Sequence, residues 1–180
     1  KAVRSSRSMG YKADSGAAIV LNVKNGAVLA MASWPSYDPN MFQKGLTVQQ
    51  AKDLFSESTG VPALSRAIQG TYAPASTFKA LSVVAATAAG YNMNASYKCP
   101  ATVQIGNREF KNADSNPMGR ISMQTAIAVS CDTVWYQIAY DQWVKDGGLH
   151  PHAGLNDYFF NAARGFGIGH LTGIDLPGEA

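Results

Sequence analysis

The run LSVVAATAA at residues 81–89 constrains the fold of this 180-residue chain more than any other feature. Pro74 precedes the run and Gly90 follows it, and these residue types are typical of the first turn and the end of a helix. The small apolar residues would lie on nearly every side of that helix, and a helix that is apolar all round is a buried one. The sequence therefore predicts a helix through the centre of a domain.

A β-hairpin is predicted close to the start of the chain. Residues 17–23 and 27–33 are rich in β-branched and other aliphatic side chains, as strands are. Between them, Asn25 and Gly26 suit the two positive-φ positions of a tight hairpin turn. We expect this hairpin to belong to a larger antiparallel sheet.

The remaining segments indicate a mixed α/β fold class. A short strand pair with loops is predicted within residues 101–120. We expect residues 1–15 to be a linker or the end of a preceding segment, and residues 16–180 to belong to one domain that is incomplete at its C-terminus. Helices are predicted at residues 47–55, 122–129, 133–144 and 158–166.

Composition and charge exclude several classes of protein. The chain is 46% hydrophobic and 15% charged, which is typical of a globular rather than a disordered protein. Its net charge of +3 comes from scattered lysines and arginines, so no nucleic-acid partner is expected. No segment reaches the roughly 18 uninterrupted apolar residues of a membrane span.

The two cysteines, Cys99 and Cys131, are too few for a disulfide framework. Neither lies at a metal-ligand spacing from any of the three histidines. We interpret both as structural or incidental thiols, and we predict no metal and no cofactor.

The strongest indication of chemistry is STFK at residues 76–79. A serine hydroxyl is a poor nucleophile until a nearby base takes its proton. Lys79 would lie one helical turn from Ser76 on the same face, and it can act as that base if burial favours its neutral amine. Free N–H groups in the first helical turn would also favour a developing negative charge. The alternative is that Ser76 caps the helix and Lys79 is a surface residue.

A second polar group follows in SCD at residues 130–132. Ser130 has a chemical role if it lies between Lys79 and a leaving amine, because its hydroxyl can relay a proton. Asp132 could bind a substrate amide or hold Lys79 in place. Alternatively, Ser130 or Asp132 simply N-caps the helix that begins near Thr133.

These residues support a resemblance to a known family. YAPASTFK at residues 72–79 resembles the first active-site motif of penicillin-binding proteins and serine β-lactamases. Residues 16–40 look like the opening hairpin of a penicillin-binding transpeptidase domain, and residues 166–179 look like the segment after its second motif. The resemblance implies the N-terminal part of that fold, which comprises the opening hairpin of the core antiparallel sheet and the helical subdomain.

The aspartate of SCD resembles the elongation-type class B enzymes of the penicillin-binding protein 2 group, and DTVWY at residues 132–136 looks actinobacterial. The implied activity is that of a peptidoglycan D,D-transpeptidase. Ser76 would attack the D-Ala-D-Ala carbonyl of a stem peptide, Lys79 would act as the base, Ser130 would relay the proton, and Asp132 would bind substrate. β-Lactam antibiotics would acylate Ser76 and stay bound.

The resemblance also implies partners and a location. A glycosyltransferase and other membrane proteins of the elongation complex would be the protein partners. The peptidoglycan substrate implies the extracytoplasmic face of the cell membrane, with an anchor outside these 180 residues.

One motif of the family, K-[ST]-G, does not occur in the sequence. In the family, the strand that carries it borders the substrate channel and supplies an oxyanion-hole donor, and losing one such donor costs about 10²–10³ in rate. We therefore expect this chain alone to be catalytically incompetent. Alternative functions are a class D-type serine β-lactamase, a non-enzymatic penicillin-sensing domain and a degenerate scaffold module. The opening hairpin, which ends in YDPN at residues 37–40, favours the transpeptidase.

Overall fold

The computed structural model describes residues 2–179, which divide into two compact units. Residues 2–72 and 173–179 form the first unit, and residues 73–172 form the second. The regular elements of the first unit are helix α1 (Ala2–Ser8), strands β1 (Gly16–Leu21) and β2 (Val28–Trp34), a 3-10 helix (Pro39–Lys44), helix α2 (Val48–Phe55) and a second 3-10 helix (Glu57–Thr59).

The second unit holds all four residues of the predicted active site. It begins with a 3-10 helix (Ala75–Phe78) that leads directly into helix α3 (Lys79–Ala88). The elements that follow are strands β3 (Tyr97–Cys99), β4 (Thr102–Ile105), β5 (Arg108–Lys111) and β6 (Gly119–Ile121), and helices α4 (Met123–Ala128), α5 (Asp132–Lys145) and α6 (Tyr158–Gly165).

The predicted hairpin is confirmed, but its predicted turn is wrong. Strands β1 and β2 pair antiparallel, with a shift of register between Val20 and Leu21. Within the loop, Gly26 has a positive φ of 74° and Asn25 does not. The Asn25 side chain instead accepts a hydrogen bond from the Ala27 N–H at 3.0 Å. Because asparagine side chains can satisfy backbone groups in this way, they stabilise a longer loop than the two-residue turn.

The four other helices predicted from sequence are all present, as is the strand pair formed by β4 and β5. Helix α2 begins with a capping box in which Thr47 and Gln50 each accept a hydrogen bond from the other's backbone N–H. The sequence did not reveal the pairing of β3 with β6, because strands of three residues carry no recognisable alternation. No helix among residues 2–179 combines the length and the apolar character needed to cross a bilayer.

Helix α3 is buried on one face rather than all round, so that prediction is wrong. Its buried residues recur at helical spacing, whereas Val84 on another face is 42% exposed. The sequence of the run does not indicate which face of α3 is exposed, because small residues such as alanine are compatible with both buried and exposed positions. The buried face of α3 comprises Lys79, Ser82, Ala85 and Ala86.

The interpretation of the cysteines as thiols is also wrong, because Cys99 and Cys131 form a disulfide. Cys99 ends β3 and Cys131 immediately precedes α5, and their Cα atoms lie 6.4 Å apart, within the usual range for a bridge. The disulfide lies within the main core of the second unit, which also contains Ala86, Met123, Ala126, Val134, Trp135 and Ile138. The bridge therefore fixes the start of α5 against the strands.

Candidate active site

Ser76 lies in the 3-10 helix that precedes α3. Ala75 enters this helix with a φ of 48°, and the Lys79 N–H donates to the Ser76 carbonyl, so the two residues are one tight turn apart. Ser76 is exposed, whereas Lys79 is only 8% exposed. Within residues 2–179, the Ser76 side chain does not cap a helix, and Lys79 is not a surface residue. The alternative in which these two residues are merely a cap and a surface lysine is therefore wrong.

Ser130 lies in the short connection between α4 and α5. Its N–H donates to the Ile127 carbonyl at 3.1 Å, and the Cys131 N–H donates to the Ala126 carbonyl at 2.9 Å. These two bonds turn the chain sharply, and Ser130 has a φ of +55°. A non-glycine residue in this region costs on the order of 1–3 kcal/mol, so the surrounding contacts must hold it there.

The Ser130 hydroxyl lies between the two residues of the first motif. Lys79 Nζ is 2.8 Å from Ser130 Oγ and 2.8 Å from the Ser130 carbonyl oxygen. Ser130 Oγ is in turn 3.2 Å from Ser76 Oγ. Among the described residues, no direct hydrogen bond joins Ser76 Oγ to Lys79 Nζ, so Ser130 supplies the link between them.

Asp132 completes the arrangement with a short ion pair. Its Oδ1 lies 2.5 Å from Lys79 Nζ, and the side chains of Lys79 and Asp132 are 11% and 17% exposed. An ammonium group has three hydrogens to donate. Ser130 Oγ, the Ser130 carbonyl and Asp132 Oδ1 account for all three, so the buried charge is fully paired.

Neither Ser130 nor Asp132 caps helix α5. The N-cap residue is Cys131, which makes no side-chain capping bond. The buried side chain of Asn112 takes that role, because its Oδ1 accepts the N–H groups of Asp132 and Thr133. The capping alternative for Ser130 and Asp132 is therefore wrong. Sequence reasoning missed Asn112, since an asparagine after a short strand normally indicates only a loop.

A cavity of about 380 Å³ opens beside these residues. Ser76, Lys79 and Asp132 are among its polar lining residues, and most of the remaining wall is apolar. An apolar pocket with a few convergent polar groups is typical of a small-molecule site. No group of metal-ligating side chains occurs in the part of the chain that the structure describes. The other lining residues are Ala75, Phe78, Ser82, Trp135, Tyr136, Ala139 and Phe159.

The amino-acid sequence of the chain is similar to those of known proteins. Residues 16–180 match the family model described as the penicillin binding protein transpeptidase domain. The chain belongs to this family. It is 34% identical over 166 residues to the peptidoglycan D,D-transpeptidase MrdA of Escherichia coli K12, a match that covers 91% of this chain and 24% of the relative. It is 31% identical over 165 residues to the peptidoglycan D,D-transpeptidase PbpA of Mycobacterium tuberculosis, covering 88% of this chain and 31% of the relative.

Solved structures give the same family and fold. The ceftriaxone acyl-enzyme complex of penicillin-binding protein A from M. tuberculosis superposes with a TM-score of 0.70 at 29% identity, covering 84% of this chain and 33% of that one. The Pseudomonas aeruginosa PBP2 complex with WCK 5153 superposes with a TM-score of 0.73 at 27% identity, covering 99% and 38%. These matches confirm the assignment to the penicillin-binding transpeptidase fold and to the penicillin-binding protein 2 group. This chain spans about a quarter to a third of the curated relatives that it matches.

Proposed function

We propose that the protein is a peptidoglycan D,D-transpeptidase that uses Ser76 as its nucleophile. The observation that carries the proposal is the continuous hydrogen-bonded path from Ser76 Oγ through Ser130 Oγ to Lys79 Nζ, with distances of 3.2 and 2.8 Å. A nucleophile within reach of a base, which is itself held by a third group, is the general signature of an activated serine. The proposal extends to residues 16–180 belonging to a single transpeptidase domain.

Acylation would begin when Ser76 Oγ bonds to the carbonyl carbon of the penultimate D-alanine. Once the Lys79 ammonium has released a proton to solvent, the Ser76 proton would pass to Ser130 Oγ as the Ser130 proton passes to the resulting neutral amine of Lys79. The peptide C–N bond would then break, and the same relay, run in reverse, would deliver one proton to the departing nitrogen of D-alanine. Ser76 is left as an ester, and Ser130 and Lys79 regain their starting protonation. Proton transfer of this kind typically contributes 10²–10⁴ in rate.

Transfer to the acceptor would follow the same path. The amine of a neighbouring stem peptide would attack the ester carbon, its surplus proton would leave through Ser130 to Lys79, and the proton would return to Ser76 Oγ as the ester bond breaks. The Ser76 N–H finds no hydrogen-bond acceptor within residues 2–179. Because it lies beside the reacting oxygen, it is suited to stabilise the oxyanion in both steps.

We assign Asp132 to holding Lys79. Its carboxylate lies 2.5 Å from Nζ, which fixes the Lys79 side chain towards Ser130 whenever the amine carries a proton. Asp132 also lines the cavity beside Ser76, where its second oxygen can accept a hydrogen bond from a substrate amide. Both roles proposed for this position from sequence are thus compatible with the geometry.

β-Lactams would acylate the same serine, because their ring amide presents a carbonyl to Ser76 as the stem peptide does. The acyl-enzyme complexes of the M. tuberculosis relative with ceftriaxone, imipenem and penicillin G support this extension. A relative at 34% identity belongs to a peptidoglycan synthase complex that coordinates polymerization and crosslinking. It supports a glycosyltransferase and other elongation-complex membrane proteins as partners.

We place the protein at the extracytoplasmic face of the cell membrane. The substrate lies there, and the buried disulfide between Cys99 and Cys131 supports an oxidising compartment, because disulfides persist outside the cytoplasm and are rare within it.

The test is a reaction of the full-length protein with a stem peptide that ends in D-Ala-D-Ala, in the presence of an acceptor amine. We expect D-alanine release and a cross-linked product in the mass spectrum, and neither with Ser76→Ala. The reaction with penicillin distinguishes the transpeptidase from a class D-type β-lactamase and from a sensor domain. Repeated hydrolysis of penicillin would indicate the β-lactamase, and a stable adduct without any peptide product would indicate the sensor.

A further inference from the structure

In the second unit, outside the site itself, the buried side chain of Asn112 uses its full capacity for hydrogen bonds. This residue follows β5, is 1% exposed, and makes four side-chain hydrogen bonds of 2.9 to 3.1 Å to backbone groups, besides a longer one of 3.6 Å from Nδ2 to Cys99 Sγ. Its Oδ1 accepts the N–H groups of Asp132 and Thr133, and its Nδ2 donates to the carbonyls of Pro100 and Asn116. An amide side chain has two donor hydrogens and two acceptor lone pairs, so its capacity is filled.

The orientation of this amide follows from its surroundings. Rotating the group by half a turn would place Nδ2 against the two N–H donors of α5 and Oδ1 against the two carbonyls. All four contacts would then be repulsive. A shorter or apolar side chain at position 112 would leave buried donors and acceptors unpaired, which costs about 1–3 kcal/mol per group.

The contacts of Asn112 determine where helix α5 begins. The first N–H groups of a helix have no partner within the helix, and α5 has no capping side chain at Cys131. Asn112 satisfies two of these groups from 20 residues away in the sequence. Thr133 Oγ1 donates to the same Pro100 carbonyl at 2.9 Å, so the bonds converge on one point of the chain.

The start of α5 carries the second motif. Asp132 is its first residue, and the side chain of Asp132 holds Lys79 at 2.5 Å. Two residues earlier, Ser130 keeps a φ of +55° and places both of its oxygens 2.8 Å from Lys79 Nζ. If the backbone at Asp132 moved, the hydroxyl of Ser130 and the carboxylate of Asp132 would both move relative to Lys79.

We propose that Asn112 is a positioning residue for the reaction: its buried amide holds the first turn of α5 so that Ser130 and Asp132 meet Lys79. Asn112 does not line the cavity beside Ser76, so it acts through the residues that do. The inference rests on the proposed function, since it concerns the geometry of that same site. A misplacement of about 1 Å in such a site can cost on the order of 100-fold in rate.

The experiment measures acylation of the full-length protein by a fluorescent penicillin, resolved into the dissociation constant of the non-covalent complex and the acylation rate constant. Asn112→Ala is expected to lower the acylation rate constant about 10- to 100-fold and to change the dissociation constant by less than about twofold. Asn112→Asp keeps the acceptor oxygen for the two N–H groups and loses the two donors. Its rate constant is expected to lie at least threefold below wild type and at least threefold above Asn112→Ala.

Gln142→Ala is the matched control. Like Asn112, Gln142 has a buried amide side chain. It lies on α5 itself, near the end of the helix away from the site, where its Nε2 donates a hydrogen bond to Asp146. Each variant is assayed well below its own unfolding midpoint, so that loss of folded protein does not mimic loss of rate. Gln142→Ala is expected to keep the wild-type rate constant even where it loses stability.

Several results would overturn the proposal. They are a wild-type rate constant in folded Asn112→Ala, a loss in Gln142→Ala equal to that in Asn112→Ala, and an Asn112→Asp rate no higher than that of Asn112→Ala. If Asn112→Ala does not fold, Asn112→Asp is compared with Gln142→Ala, and equal rate constants refute the role. Failure of the wild-type protein to be acylated at Ser76 would instead refute the proposed function, so the two failures are distinguishable.

Discussion

Breaking the disulfide between Cys99 and Cys131 is expected to destabilise the protein more than most single substitutions do. Both cysteines are fully buried, and 32 positions separate them in the sequence. The bridge therefore closes a long loop that contains β4, β5, β6 and α4, together with Asn112. Without it, the unfolded chain regains the freedom of that loop.

The size of the effect follows from the loop length. In the chain-entropy treatment, a bridge removes about 2.1 + 1.5R ln n cal/mol/K from the unfolded state, where n is the number of residues in the loop. The separation of 32 gives about 12 cal/mol/K, which is about 3.7 kcal/mol at 25 °C. With a urea m-value of about 1–3 kcal/mol/M, the unfolding midpoint should fall by roughly 1–4 M.

Urea unfolding followed by tryptophan fluorescence measures this shift, with the wild-type protein compared before and after reduction. The Cys99→Ala/Cys131→Ala variant provides the control: it should resemble the reduced wild type, and the reductant should not change it further. A loss of less than about 1 kcal/mol on reduction would refute the reasoning, because it would mean that the loop is already constrained in the unfolded state.

Three further predictions concern other buried polar groups. Asp132→Asn leaves the Lys79 ammonium without its carboxylate, and we expect the free energy of unfolding in urea to fall by about 1–3 kcal/mol; an unchanged value would contradict this. Arg66 is 8% exposed and donates to the carbonyls of residues 60, 61 and 64, so Arg66→Met should cost about 2–3 kcal/mol in the same assay. Burial raises the pKa of Tyr91, so the unfolded phenol ionises first and the free energy of unfolding should fall as the pH rises above about 10. Tyr91→Phe should reduce that alkaline loss, and an identical pH dependence in the variant would count against it.

The sequence predicted the local spacing within the candidate site. Ser76 and Lys79 could be placed one turn apart, because a spacing of three residues on a helix is visible in the sequence. Ser130 and Asp132 could be proposed because a hydroxyl and a carboxylate stand two residues apart in the sequence, next to the start of a predicted helix. The helix boundaries followed from the same local patterns.

The parts that depend on distant contacts could not be predicted. The disulfide joins residues 32 positions apart, and two cysteines alone do not indicate whether they meet. Asn112 reaches across 20 positions to cap α5, and nothing in its local sequence distinguishes it from a loop residue. The one-sided burial of α3 was equally hidden, since alanine is compatible with both faces of a helix.

The link between Ser76 and Lys79 through Ser130 also emerged only from the structure. It depends on the φ of +55° at Ser130, a backbone conformation that serine seldom adopts and that the sequence does not signal. The prediction that Lys79 acts as a base for Ser76 therefore stays a prediction, with Ser130 added to the path.

The covalent attachment of benzylpenicillin to the full-length protein tests the role of Ser76 most directly. Intact-mass spectrometry and peptide mapping should find one long-lived adduct per chain, located on Ser76 and absent from Ser76→Ala. An adduct on any other residue, an adduct that persists in Ser76→Ala, or the absence of any adduct on folded protein would contradict the proposed mechanism.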